Sequence, residues 1–261
     1  IAYVGKKISQ FSEKDVSVVH QNLDDRELYR PGIRTLEWAY DFLISKKYIE
    51  EKDSNKFDDY LLVDEENSRM KVLLKGQQSD KIDLIMRTGE IIEQLKDEVE
   101  TNKHDITIIG GGGNKGIHQK LVQFIDSSVF VVKNYSVNKK YKILLPVNDS
   151  KGSDMAIETA INFAKSYKLN VEIVSVSEGK KSIEEVKKIL NKTKEKFSKN
   201  RIKTTTKLID GPAVNSIVNY AKDDSIVILG VSPKNPIMKY FFGSKPLSIA
   251  QKCNCPVLIT K

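Results

Sequence analysis

One order of apolar strands and amphipathic helices runs through this chain twice, and that repeat constrains its fold more than any other feature. The second half reads strand "YKILLPVN", loop "DSKG", helix 153–168, strand "NVEIVSVS", helix 181–199 and strand "IKTTTKLID". Gly211, helix 212–222, strand "SIVILG", a long loop, helix 245–252 and strand "PVLITK" complete it. In helix 153–168 the residues Ala156, Ile157, Ala160, Ile161 and Ala164 recur at the i, i+3, i+4 spacing of one buried face. The strands are nearly continuous apolar runs, the pattern of a parallel sheet covered by helices on both faces. The first half matches segment by segment: "DVSVVHQN" with "KILLPVN", "GIRTLEWAYDFLISKK" with "SDMAIETAINFAKSYK", and "KFDDYLLVDEE" with "NVEIVSVSE". "KIDLIMRTG" then matches "TTTKLIDG", "HDITIIG" matches "DSIVILG", and "SSVFVVK" matches "NCPVLITK". The reading is of two tandem open parallel-sheet α/β domains, 15–134 and 135–261, joined in the polar stretch "NYSVNKK". Residues 1–14 precede the first repeat as a connector that buries little.

The length of 261 residues suits two domains. No apolar run approaches the roughly 20 residues of a membrane helix, so the chain reads as soluble and, with two cysteines and no disulfide framework, cytoplasmic. Cys253 and Cys255 are too few for a zinc site and read as small apolar residues entering a buried last strand. Charge is uneven. Residues 1–134 carry 20 basic and 24 acidic side chains, a net −4, whereas residues 135–261 carry 23 and 11, a net +12. Much of that excess lies in "GKKSIEEVKKILNKTKEKFSKNR", where Ile183, Val186, Leu190 and Phe197 form an apolar stripe with lysines between them. This is a solvated helix face, and without interleaved aromatics no nucleic-acid partner is expected.

Two glycine loops follow the fourth strand of each repeat. The first, "HDITIIGGGGNKGIHQK", contains the Gly111-x-Gly113-x-x-Gly116 spacing of a phosphate loop. It does not follow the first strand of its unit, and the next strand ends in Lys133 and Asn134 rather than an acidic residue, so it is not a dinucleotide fingerprint. From Gly110 to Lys133 it is also eight residues shorter than the stretch from Gly230 to Lys261. It reads as a structural turn.

The second loop, "GVSPKNPIMKYFFGSKPLSIAQKCNCPVLI", resembles the universal stress protein (UspA-like) family. Nucleotide-binding members of that family carry Gly-x-x-Gly, nine residues, then Gly-Ser or Gly-Thr. Here Gly230, two residues, Pro233, nine residues and Gly243-Ser244 reproduce the spacing with proline at the second glycine. The resemblance covers the second repeat, "LLPVNDS" and "CPVLI" included, and reaches the first only through the internal match. It implies an adenine nucleotide alpha hydrolase-like fold and an ATP or AMP site in the second domain, with magnesium accompanying ATP. On that reading Gly230 and Val231 begin the loop, Gly243 and Ser244 hold phosphate, and Lys245 adds charge. Pro146, Val147 and Asn148, with Val176, contact adenine. Asn148 stands where the family usually has Asp, and its amide oxygen is expected to accept from the adenine amino group.

Three further expectations follow. No Ser-His-Asp or Cys-His arrangement surrounds the loop, so the chain reads as a binding module rather than an enzyme. Such domains pair through their last strands, so "VFVVK" and "VLITK" are expected to pair within the chain as a pseudo-dimer, or between chains as a homodimer. The alternative function is the cytoplasmic regulatory region of a membrane transporter, an ion antiporter, cation-chloride cotransporter or amino-acid permease. The start at Ile1 and the apolar-then-basic "IAYVGKK", like the inner end of a membrane helix, point that way.

Overall fold

The computed structural model describes residues 1–5, 32–51, 60–65, 68–74, 77–78, 82–112, 115–178, 183–231 and 245–261. Contacts divide the chain into two compact units, Ile1–Asp97 and Glu98–Lys261. The division falls ahead of the 134/135 boundary read from the repeats, because the last two strands of the first repeat hydrogen-bond into the sheet of the second.

The N-terminal unit contains β1 (Ala2–Gly5), α1 (Ile33–Ser45), β2 (Glu50–Glu51), β3 (Tyr60–Asp64), β4 (Arg69–Leu74), β5 (Gln77–Gln78) and β6 (Leu84–Thr88). Four strands form a sheet in the order β1-β6-β4-β3, in which β1 lies parallel to β6 and the other two pairings are antiparallel. Among the described residues this sheet is mixed, not the fully parallel one expected for the first repeat. A parallel pairing needs a crossover of a dozen or so residues, and only residues 65–68 separate β3 from β4, so these two strands fold as a hairpin. Helix α1 buries Ile33, Leu36 and Tyr40 against Val72, Leu84 and Met86. Arg87, 1% exposed, donates to Gln94 at 2.9 Å and pairs with Asp97.

The expected connector is also corrected. Residues 2–5 are a sheet strand in register with residues 85–88, the Gly89 N–H donates to the Gly5 carbonyl at 2.9 Å, and Tyr3 packs on Gly32 at the start of α1. Gly32 has φ +96°, and an added Cβ there would stand 2.1 Å from the Tyr3 ring. Alternation in "AYVG" is too short to signal a strand, and its partner β6 lies some eighty residues away, so local pattern could not reveal the pairing. The proposed strand at 15–22 lies outside the described residues.

Helix α2 (Ile91–Asn102) carries the chain across the division between the units. The C-terminal unit then contains β7 (Ile106–Gly110), α3 (Lys115–Phe124), β8 (Ser128–Val132), β9 (Lys142–Pro146), α4 (Lys151–Tyr167), β10 (Val171–Ser177) and α5 (Ile183–Lys199). It ends with β11 (Thr204–Asp210), α6 (Ala213–Tyr220), β12 (Ser225–Gly230), α7 (Lys245–Lys252) and β13 (Val257–Thr260). Seven strands form one sheet in the order β11-β10-β9-β12-β13-β8-β7. Every pairing is parallel except β13 with β8, which run antiparallel with Val257 opposite Val131 and Ile259 opposite Val129.

Both faces of the central strands are covered, which is why those strands read as continuous apolar runs, whereas the edge strand β7 leaves Ile108 67% exposed. On one face Ile143, Leu145, Ile173 and Ile228 pack under Ala156 and Ala160 of α4 and Leu190 and Phe197 of α5. On the other Leu144, Val174, Val227 and Leu229 pack under Ile217 of α6 and Leu247 and Ile249 of α7. The buried face of α5 is Val186, Leu190, Thr193 and Phe197, with Lys187, Lys188, Lys192 and Lys194 exposed, as a solvated helix requires; Ile183, at its first position, is 57% exposed. Cys253 and Cys255 are free thiols, each 2% exposed within the core. No described helix is long and apolar enough to cross a membrane.

Two side-chain clusters hold the ends of this unit. Lys133 caps the C-terminus of α7, its ammonium donating to the carbonyls of Ala250 at 2.6 Å, Gln251 at 3.2 Å and Cys253 at 3.1 Å. At the opposite edge of the sheet from the strand ends that matter below, Glu172 accepts from Tyr220 and from Lys142. Hydrogen bonding to Glu172, aided by burial, pushes the Tyr220 phenol up to about 12.

Of the first glycine loop, residues 110–112 are described, at the end of β7. The Gly111 N–H donates to the Val132 carbonyl at 2.6 Å, and an added Cβ on Gly111 would meet the Lys133 side chain at 2.0 Å. Gly110 and Gly112 face open space, and Gly113 lies outside the described residues.

Candidate functional site

In an open α/β sheet, strands on either side of the point where the order reverses send their following helices to opposite faces, and a crevice opens at their carboxyl ends. Here that point lies between β9 and β12. From β9 the chain proceeds outward through β10 to β11, while β12 proceeds the other way to β13. A cavity of about 380 Å³ occupies the crevice. Its floor is apolar, with Val174, Ile217, Leu229 and Ile249 each buried. One wall comes from the ends of β9 and β10 through Pro146, Val147 and Val176. The facing wall is the first turn of α7, Lys245 and Pro246.

The loop from β9 into α4 is built by two serines. Ser150 is the N-cap of α4, with extended φ and ψ of −141° and 153°, and its Oγ accepts from the Ser153 N–H at 3.3 Å. Ser153 lies three residues on, and its Oγ accepts from the Asn148 N–H at 2.8 Å. Each hydroxyl thereby receives one backbone proton and directs its own to the Asn148 side chain. Ser150 donates to Asn148 Oδ1 at 2.6 Å and Ser153 donates to the same oxygen at 3.0 Å. Asn148 itself is exposed and lines the cavity.

The opposite rim is electrostatic. Glu178, just past β10, accepts from the Ala213 N–H at the start of α6 at 2.9 Å and from Lys245 Nζ at 2.5 Å. Lys245 was expected to face an anion directly, but in this structure it is held by Glu178 across the mouth of the cavity. Both partners are substantially exposed, so the pair is weak, of order 0–1 kcal/mol, and exchangeable.

Of the residues singled out in the sequence, Pro146, Val147, Asn148, Val176, Gly230 and Lys245 line the cavity. Val231 does not. Its N–H donates to the Thr260 carbonyl at 3.0 Å, and its side chain packs against the core cluster beneath α6 and α7. Pro233, Gly243 and Ser244 lie outside the described residues. Gly230 is required by packing, since an added Cβ would stand 1.6 Å from the Gly152 carbonyl oxygen in the first turn of α4. The glycine lets helix and strand approach, whatever lies in the crevice. The expectation for Asn148 also changes, because both lone pairs of its amide oxygen are already engaged by serine hydroxyls. Ser150, Ser153 and Glu178 were missed. The pattern Ser-x-x-Ser opening a helix signals the first two as capping residues, whereas nothing local ties Glu178 to Lys245, sixty-seven positions away.

Among the described residues no group of three His, Cys, Asp or Glu side chains is arranged to hold a metal ion. What the crevice offers is apolar lining from Pro146, Val147 and Val176, the first turn of α7, and the hydrogen-bonding groups of Asn148, Ser150 and Glu178.

Comparison with known proteins follows the same division of the chain. Residues 141–261 match the Universal stress protein family. A universal stress protein of Methanocaldococcus jannaschii is 27% identical, over 46% of this chain and 81% of that protein. Among solved structures, a universal stress protein from Archaeoglobus fulgidus DSM 4304 superposes with a TM-score of 0.55 at 17% identity, covering 67% of each chain. A putative universal stress protein from Pseudomonas aeruginosa UCBPP-PA14 superposes with a TM-score of 0.56 at 11% identity, over all of this chain and 92% of that one. At these identities the superpositions show a shared fold.

Proposed function

We propose, from the match of residues 141–261 to the Universal stress protein family, that the second repeat binds a purine nucleotide in the crevice between β9 and β12 and acts as a regulatory or sensor module. The observation that carries the reading is the division of labour within one cavity. Pro146, Val147 and Val176 make an apolar slot of the kind a base fills, and α7 begins at the far end, where backbone N–H groups and the helix dipole favour phosphate. Lys245 can trade Glu178 for a phosphate oxygen at little cost, because the pair is exposed.

ATP and AMP are the ligands that the family resemblance names. A magnesium ion would arrive on the phosphates of ATP, and no step depends on it here. Among the described residues the crevice brings no nucleophile and base into contact, and the role proposed is binding. The transporter alternative rested in part on residues 1–14 as a free connector, and of these residues 2–5 form a sheet strand.

Titration calorimetry of the whole chain with a panel of adenine, hypoxanthine and guanine nucleotides tests the proposal. The outcome expected is one site per chain, lost in Val176→Glu, which sets a charge in the base slot. No heat with any of them, or two sites per chain, would overturn it.

A further inference from the structure

Resting on that nucleotide reading, we infer that Asn148 makes the site select purines with a carbonyl at C6, hypoxanthine or guanine, over adenine. A side-chain amide has one oxygen with two lone pairs and one nitrogen with two protons. Two hydroxyls fill the oxygen, Ser150 at 2.6 Å and Ser153 at 3.0 Å. In this orientation each hydroxyl accepts one backbone proton, the Ser153 N–H at Ser150 Oγ and the Asn148 N–H at Ser153 Oγ, and finds in the amide oxygen an acceptor for its own. The Nδ2 group has no hydrogen-bond partner among the described residues, and the residue is exposed on the cavity wall beside the slot formed by Pro146, Val147 and Val176.

Asn148 therefore presents donors to a base edge. Adenine meets them with its own N6 protons, donor against donor, and accepts only through the ring nitrogens N1 and N7 that flank that amino group. A 6-oxopurine turns O6 toward them, an acceptor against a donor. An aspartate on the same scaffold would still accept from both serines through one oxygen, and would turn the other, an acceptor, toward the base. The difference between Asn and Asp at this position is thus a reversal of hydrogen-bond polarity at constant shape. Ser150 and Ser153 are positioning residues: they decide which end of the amide faces the ligand.

Inosine and adenosine triphosphates differ only at this edge of the ring, and their dissociation constants on the whole chain read the inference directly. The native chain is expected to bind the inosine nucleotide about tenfold more tightly, the scale of one satisfied against one opposed hydrogen bond. In Asn148→Asp the ratio should invert, and in Ser150→Ala, which frees one lone pair of the amide oxygen, it should fall toward unity; a thermal melt of each variant checks that it is folded. Equal or tighter binding of the adenosine nucleotide by the native chain, or a ratio unmoved by Asn148→Asp, would overturn the inference while leaving the nucleotide site intact. Binding of neither nucleotide would overturn both.

Discussion

At Gly230 an added Cβ would lie 1.6 Å from a backbone oxygen, that of Gly152, which cannot rotate away as a side chain can. Gly230→Ala must therefore push α4 off β12, and the packing beneath includes Ala156 and Ala160, both 0% exposed. Overpacking of this kind costs roughly 1–3 kcal/mol. Urea melts without nucleotide should show that loss; an unchanged midpoint would mean the glycine serves the ligand after all. The spacing of the loop marked this position as glycine-dependent from the sequence, but the cause was hidden, because Gly152 meets it only once strand and helix have packed. Asn148 shows the same limit. Its type was legible, whereas the direction of its amide depends on two hydroxyls placed by the turn into α4.

Elements of the second repeat were legible because their signals are local. Helix α4 was expected at 153–168 and is found at Lys151–Tyr167, and helix α7 was expected and is found at 245–252, each with an apolar face at helical spacing. Elements fixed by distant partners were not legible. Strand β1 is four residues long and exists through β6 and through Tyr3 against Gly32, and β4 had no counterpart in the repeat at all. Lys133, read at first only as a strand end, is the cap of a helix more than a hundred residues downstream. The prediction at this scale concerns β1. Deleting residues 1–5 bares the edge of β6 and removes the ring that covers Gly32, so hydrogen exchange in β6 and α1 should quicken while the C-terminal sheet keeps its protection. Unchanged exchange in β6 would restore the connector reading.

For the molecule as a whole, the sequence repeats do not coincide with the packing units. Strands β7 and β8 carry the pattern of the first repeat yet extend the sheet of the second, and β8 joins it by the antiparallel pairing with β13. The crevice lies far along that sheet from the β7 glycine turn, at the switch between β9 and β12, so the account holds that one site, not two, serves the chain. Hydrogen exchange with and without saturating inosine and adenosine triphosphates tests this most directly. Slowing confined to residues 146–153, 174–178 and 245–249 is the predicted result; no slowing anywhere with either nucleotide, or slowing centred on residues 110–112, would contradict it.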